Sequence, residues 1–234
     1  MTNLLRNLFC SSLGKKYLMA GTGAALFVFV IGHLAGNLQI FLGPEAINRY
    51  GNLLQTNVEL LWPVRLILLA IIIVHIWSAI SLTRENRAAR PVSYTDWKPT
   101  AASYASRTMF MSGVIVAFFI VYHLLHYTVM VQSINFTGKN FDAHPEFFDK
   151  EGRHDVYHMM IVGFSNPVVA LFYVIAVGLL CLHLSHGVSA MFQSLGWKKR
   201  PYGACLDRAA VWGSVAIWLG YSSIPLAILF KVIS

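Results

Sequence analysis

Charge is what this sequence of 234 residues has least of: Asp, Glu, Lys and Arg make up 12% of it, about half the share in an ordinary soluble domain. Acids are the scarcer sign, 10 against 18 Lys and Arg. So little charge cannot cover a soluble globule of this size, which excludes a disordered chain, a coiled coil and most soluble enzymes. Cysteine is scarce too. Cys10, Cys181 and Cys205 have neither metal-type nor disulfide-type spacing and read as buried free thiols. The chain also lacks internal repeats and low-complexity tracts.

What it has is apolar length. Hydrophobic residues make up 56% of the sequence, and five runs reach the roughly 20 residues a helix needs to cross a bilayer. They cover residues 17–42, 61–82, 108–131, 167–195 and 209–230. Their apolar residues do not alternate, so helix is the expected state. Arg65 is their one charge, near enough to the start of its run to snorkel to the interface. The first run is too long for a cleaved leader and lacks a small-residue cleavage site. The expectation is a single all-α membrane-embedded domain, a bundle of five transmembrane helices.

The loops orient it. One side carries twelve cations (among them Lys15, Lys16, Arg84, Arg87, Arg107, Lys198 and Arg208) and three acids, Glu85, Asp96 and Asp207. The other carries five cations and seven acids. The positive-inside bias puts the cation-rich side, and with it the N-terminus, in the cytoplasm, and the C-terminus outside. The excess charge thus sets topology and meets anionic lipid or a docked partner; nucleic-acid binding is not expected. Asn166-Pro167 reads as a helix start. Gly196 and Pro201 close the fourth run, and Pro225 is expected to kink the fifth or mark its end. Residues 3–12 suggest a short interfacial helix. The outer segment 132–165 is expected to be an ordered cap, with Phe136, Phe141, Phe147, Phe148 and Tyr157 as apolar anchors.

Six of the nine histidines fall inside the runs: His33, His75, His123, His126, His183 and His186. Intramembrane ionisable residues are rare and tend to be functional. At about 1.5 Å per residue across a core of about 30 Å, His33 and His123 lie about 24 and 22 Å from the inner boundary. His75 and His183 come at about 9 and 6 Å from that boundary, their helices running the other way. Two layers result, each with two imidazoles on different helices, which is what bis-axial ligation of a haem iron requires. The cofactor reading is therefore two haem b, with His33 and His123 on the outer iron and His75 and His183 on the inner. His126 and His186 compete as ligands, each three residues from its rival on the same helix face. Each also lies nearer a membrane surface, where contact with a haem propionate, a quinone or water suits it. Glycines 21, 23, 32, 36, 113 and 178 either admit a porphyrin or serve helix–helix contact. His144, His154 and His158 are outer-loop residues for which solvation is the default, His158 having a second reading in proton exchange with quinone.

Local strings add to these features: His33-Leu34-Ala35-Gly36-Asn37, Gly43-Pro44-Glu45-Ala46-Ile47-Asn48, Tyr122-His123 and His183-Leu184-Ser185-His186-Gly187. With them the whole chain resembles the diheme cytochrome b (b558-type) membrane anchor subunit of succinate:quinone oxidoreductases, the succinate dehydrogenase and fumarate reductase family of complex II. In that family the Gly of a Trp-Gly pair follows the fourth ligand by thirteen residues. Gly196 keeps that spacing from His183, although Leu195 replaces the Trp. The resemblance implies a multi-pass subunit of the inner (cytoplasmic) membrane that takes the quinone side of the reaction and binds no dicarboxylate. It implies a flavoprotein subunit and an iron–sulfur subunit on the cytoplasmic face, with electrons passing through two stacked haems to membrane quinone, usually menaquinone. Some members carry a membrane-buried Glu near the fourth ligand; here that place holds Cys181, and a carboxylate proton path is not expected. Glu59, Trp62 and Arg65 are the candidate outer quinone site, or else an interfacial anchor cluster. The rivals are the diheme anchor of another quinone-linked dehydrogenase (hydrogenase or formate dehydrogenase type), a His-dependent proton-coupled transporter, and a purely structural anchor.

Overall fold

The computed structural model describes residues 2–89, 104–199 and 201–234. Arg90, Asp96, Lys98 and Arg200 of the inner-side charge count lie outside them. Every regular element among the described residues is helical: α1 (Thr2–Cys10), α2 (Ser12–Asn37), α3 (Pro44–Thr56), α4 (Val58–Ala88), α5 (Tyr104–Arg107), α6 (Met109–Tyr127), α7 (Val156–Phe164), α8 (Pro167–Ser194) and α9 (Gly203–Leu229). Five of these, α2 (extended by a 3₁₀ turn, Leu38–Leu42), α4, α6, α8 and α9, are long and apolar enough to cross a membrane. Their side chains confirm the solvent. In the most apolar stretches of α2 and α4 only 6% and 11% of residues are buried. Leu66, Ile67, Leu69 and Ile73 stand exposed along one of them. Hydrocarbon is the medium in which such surfaces need no cover.

Hydropathy found the runs; backbone chemistry sets their ends. Helix α4 starts at Val58 and continues to Ala88, because Arg84, Glu85 and Arg87 extend a helix past the bilayer without breaking it. Helix α6 stops at Tyr127, four residues short of the apolar run. There Val129 and Val131 N–H donate to the Leu124 and Leu125 carbonyls (2.8 and 2.9 Å), with Met130 left-handed at φ 57°. Helix α8 begins as expected: Asn166 Oδ1 accepts from Val168 N–H at 2.9 Å, with Pro167 in the first turn. It ends at a left-handed Gly196, φ 75°, where Trp197 N–H reaches back to the Phe192 carbonyl at 2.9 Å. Pro225 sits inside α9, one turn before its end.

The chain divides into two compact units. The first comprises Met1–Val30, Val64–Ser112 and Leu182–Ser214. Here α1 places Phe9 against Trp77 (ring centres 5.7 Å). Lys15 pairs with Glu85, which also accepts from Ser12 Oγ at 2.7 Å, and Lys198 pairs with Asp207 at 2.6 Å.

The second unit comprises Ile31–Pro63, Gly113–Cys181 and Val215–Ser234. Its core gathers Ile40, Ile47, Met160, Phe164, Val169, Tyr173, Ile224 and Ile228. The segment 132–165 is ordered, as its composition suggests. Asn48 of α3 donates to Asp155 Oδ1 at 2.9 Å and accepts from Tyr157 N–H at 2.9 Å, while Asp155 caps α7 by accepting from His158 N–H at 2.9 Å. The two helices touch closely enough that a Cβ on Gly51 would meet Val156 Cγ2 at 2.8 Å. Arg153 grips Glu45 through both terminal nitrogens (2.7 and 3.1 Å) and Asp149 through Nε at 2.7 Å. Its hydrogen bonds hold the Glu45 carboxyl below the usual range. Burial pushes Asp149 upward, but the guanidinium together with the backbone N–H groups of Glu151 and Arg153, which donate to its Oδ1 at 2.9 Å, brings the net direction down.

Two expectations need correcting. Phe141 and Phe147 are fully buried, but Phe136 and Phe148 are 64% and 43% exposed and anchor nothing inside. Phe136 occupies a left-handed turn position, φ 56°, which turns its ring outward. The cysteines are all free, but only Cys181 is buried; Cys10 and Cys205 sit exposed at a helix end and a helix start.

Candidate functional site

The six intramembrane histidines divide between the two units, three in each. In the second unit, His33 comes from the last turns of α2 and His123 from α6. Their ring centres lie 5.8 Å apart with the planes at 76°, an edge-on arrangement. Tyr221 of α9 lies 6.2 Å from His33, and Phe119 of α6 lies 6.0 Å from His123. Asn37, one turn beyond His33, donates to the His33 carbonyl at 2.7 Å and stands 3.3 and 3.4 Å from its two ring nitrogens.

His126, the rival of His123, takes a different place. It is fully buried and stacked on Tyr127 (4.0 Å) and Phe141 (6.0 Å). Its Nδ1 is 3.0 Å from the Tyr173 hydroxyl, which is also 3.4 Å from His123 Nδ1. Its Nε2 makes no hydrogen bond among the described residues. His123 is therefore the ring that meets His33, and His126 belongs to an aromatic layer of Tyr122, Tyr127, Phe141 and Tyr173.

In the first unit, His75 of α4 packs against α2, where a Cβ on Gly23 would stand 3.4 Å from its Cε1. Thr22 Oγ1 is 3.0 Å from His75 Nδ1. His183 of α8 has Ser112 Oγ of α6 at 3.2 Å from its Nδ1 and lies within electrostatic reach of His75. His186 interacts with Lys198 and Asp207, a charged group that Ser189 completes by donating to Asp207 at 2.5 Å. His183 thus lies within electrostatic reach of both His75 and His186, and His186 within reach of Lys198 and Asp207.

Among the described residues no three His, Cys, Asp or Glu side chains gather to hold a metal ion; His33 and His123 meet as a pair of rings. Two metal–nitrogen bonds of about 2 Å, plus the distance from each nitrogen to its ring centre, separate two axial imidazole centres by about 6 Å. The His33–His123 spacing of 5.8 Å fits that requirement, and non-parallel ring planes are compatible with it. Among the candidate glycines, Gly36 and Gly178 serve packing, their Cβ positions being filled by Tyr50 and Trp218, whereas Gly21 and Gly32 face open space.

Glu59, Trp62 and Arg65 are exposed along the first two turns of α4. A groove lined by Val131, Gln132, Ser133, Phe136 and Gly138 holds none of the histidines. Of the loop histidines, His144 is solvated, but His154 is half-buried and held 2.9 Å from the Phe141 carbonyl through Nε2. Sequence reasoning missed Thr22, Ser112 and Tyr173, the hydroxyls beside three of the four paired rings. Their signal was a polar atom in an apolar run, which a self-satisfied helical hydroxyl also gives. A scan of protein-family models and comparisons with curated proteins and with solved structures return no match.

Proposed function

We propose that this multi-pass membrane protein is the haem-bearing anchor subunit of a succinate:quinone oxidoreductase of the inner (cytoplasmic) membrane, serving electron transfer between an iron–sulfur subunit and membrane quinone, menaquinone foremost. The observation that carries this is the 5.8 Å spacing of His33 and His123, brought together from α2 and α6. His33 and His123 are assigned to the outer haem b, His75 and His183 to the inner. Bound haem supplies reversible one-electron transfer. The chain's part is to present Nε2 of each ring, to orient His75, His183 and His123 through the hydroxyls of Thr22, Ser112 and Tyr173 at Nδ1, and to surround the rings with apolar side chains that exclude water. His126 and His186 are assigned supporting contacts, and Glu59, Trp62 and Arg65 the quinone. The cation-rich side is assigned to the cytoplasm, where it docks the flavoprotein and iron–sulfur subunits.

The test is a pyridine haemochrome assay on the purified chain, joined to mass spectrometry of what copurifies with it. Two haem b per chain and a succinate dehydrogenase-type flavoprotein are expected. A chain without haem overturns the proposal and returns the histidines to proton coupling or structure. Two haems with a hydrogenase or formate dehydrogenase partner move it to the anchor of another quinone-linked dehydrogenase.

A further inference from the structure

Thr22 and Ser112 solve the same problem in the same way. A hydroxyl has one hydrogen to give and two lone pairs to receive. Thr22 Oγ1 lies 2.6 Å from the Leu18 carbonyl, and Ser112 Oγ lies 3.0 Å from the Met109 carbonyl. A carbonyl only accepts, so each hydroxyl spends its hydrogen within its own helix. Toward the imidazole each then only accepts: Thr22 from His75 Nδ1 at 3.0 Å, Ser112 from His183 Nδ1 at 3.2 Å. Each ring must therefore carry its hydrogen on Nδ1, which leaves the Nε2 lone pair free.

We infer that Thr22 and Ser112 are positioning residues of the inner site, fixing the Nδ1–H tautomer of His75 and His183 and aiming both Nε2 atoms at one iron. This rests on the function proposed above. The back-bonding to Leu18 and Met109 stops the hydroxyls from rotating, so each acceptor is in place before any cofactor arrives. Accepting from Nδ1–H also makes the ring a stronger electron donor through Nε2, which tightens the hold on iron and favours its oxidised state. The two hydroxyls sit on different helices, α2 and α6, and each serves a ring on a third and fourth helix, α4 and α8. Helical self-satisfaction alone predicts no such match. It places a hydroxyl against its own carbonyl and leaves its second contact to chance.

The experiment compares Thr22→Val and Ser112→Ala with the conservative Thr22→Ser and Ser112→Thr in the intact complex. It reads redox titration of each haem, the low-spin electron paramagnetic resonance signals, and haem loss to apomyoglobin. Thr22→Val and Ser112→Ala are each expected to raise the midpoint potential of the same one of the two haems and shift its signal. Each should release that haem about tenfold faster. The second haem stays as in the unmodified protein, and the conservative variants restore the first. The inference is overturned if two haems are present but neither apolar variant moves a potential or a signal. It is equally overturned if the two variants affect different haems, or if the conservative variants behave like the apolar ones. Should one apolar variant fail to accumulate, the other decides by the same readouts. An unmodified complex without haem fails the functional proposal itself, an outcome distinct from those three.

Discussion

His33 and His123 stand ring to ring, centres 5.8 Å apart, although ninety residues separate them in the chain. A shared iron makes each dependent on the other. His33→Ala and His123→Ala should therefore each abolish the same half of the haem absorbance, and the double variant should lose no more than either alone. His75→Ala and His183→Ala should abolish the other half. Reduced-minus-oxidised spectra of the four variants check this; loss in mixed pairs would contradict the assignment.

His126 makes a contrasting prediction. It is fully buried and stacked between aromatic rings rather than turned to His33. His126→Ala is expected to keep two haems but to open a cavity costing about 2–4 kcal/mol, by analogy with other large-to-small changes in cores. Haem content and thermal unfolding in detergent, measured on one preparation, separate the two effects.

Asp155 holds two elements at once, capping α7 and accepting from Asn48 of α3. Asp155→Ala removes a cap and leaves a buried amide without its acceptor, a loss of about 1–3 kcal/mol. Hydrogen exchange should rise in residues 44–56 and 156–164 together. A rise confined to α7 would show that the Asn48 contact carries no energy.

The ion cluster around Arg153 has a definite pH sense. Glu45 is held below its usual value by hydrogen bonds from Arg153, and Asp149 is pushed up by its burial but pulled further down by the same guanidinium together with the Glu151 and Arg153 backbone N–H groups. A folded value below the unfolded one stabilises the fold above the ordinary carboxylate range, about pH 4. That contribution fades as pH falls through the depressed folded values. Proteolysis of the 145–155 segment by an acid-active protease should accelerate over that window. Arg153→Gln should be cut readily at neutral pH and lose most of the acid dependence.

Cys10 and Cys205 are exposed whereas Cys181 is buried. If the cation-rich side is cytoplasmic, an impermeant maleimide should leave all three unlabelled in intact cells and mark Cys10 and Cys205 in inverted vesicles. Labelling of either from outside reverses the proposed orientation.

The five apolar helices were legible because hydrocarbon imposes a length and a composition that few other environments demand. The pairing of His33 with His123 was legible for a related reason: rise per residue converts position into depth, and depth limits which rings can meet. Helix ends were less so. Hydropathy counts apolar residues, whereas α4 runs on through Arg84, Glu85 and Arg87, and α6 stops within an apolar stretch because its carbonyls are claimed by Val129 and Val131. Phe136 and Phe148 misled because residue type does not report the direction of a side chain on a turn. The Asn48–Asp155 bond spans 107 positions and leaves no periodic trace. Thr22, Ser112 and Tyr173 are single polar atoms in apolar runs, and only the fold shows which nitrogen each one serves.

The phenol of Tyr173 lies within reach of His126 Nδ1 at 3.0 Å and of His123 Nδ1 at 3.4 Å, yet it owns a single hydrogen. Both nitrogens cannot receive it. When one does, the other ring has to supply the proton for its own contact, so the two imidazoles choose their tautomers jointly. An iron held at His123 Nε2 would keep the ring's hydrogen on Nδ1, so Tyr173 would accept there and give its own hydrogen to His126.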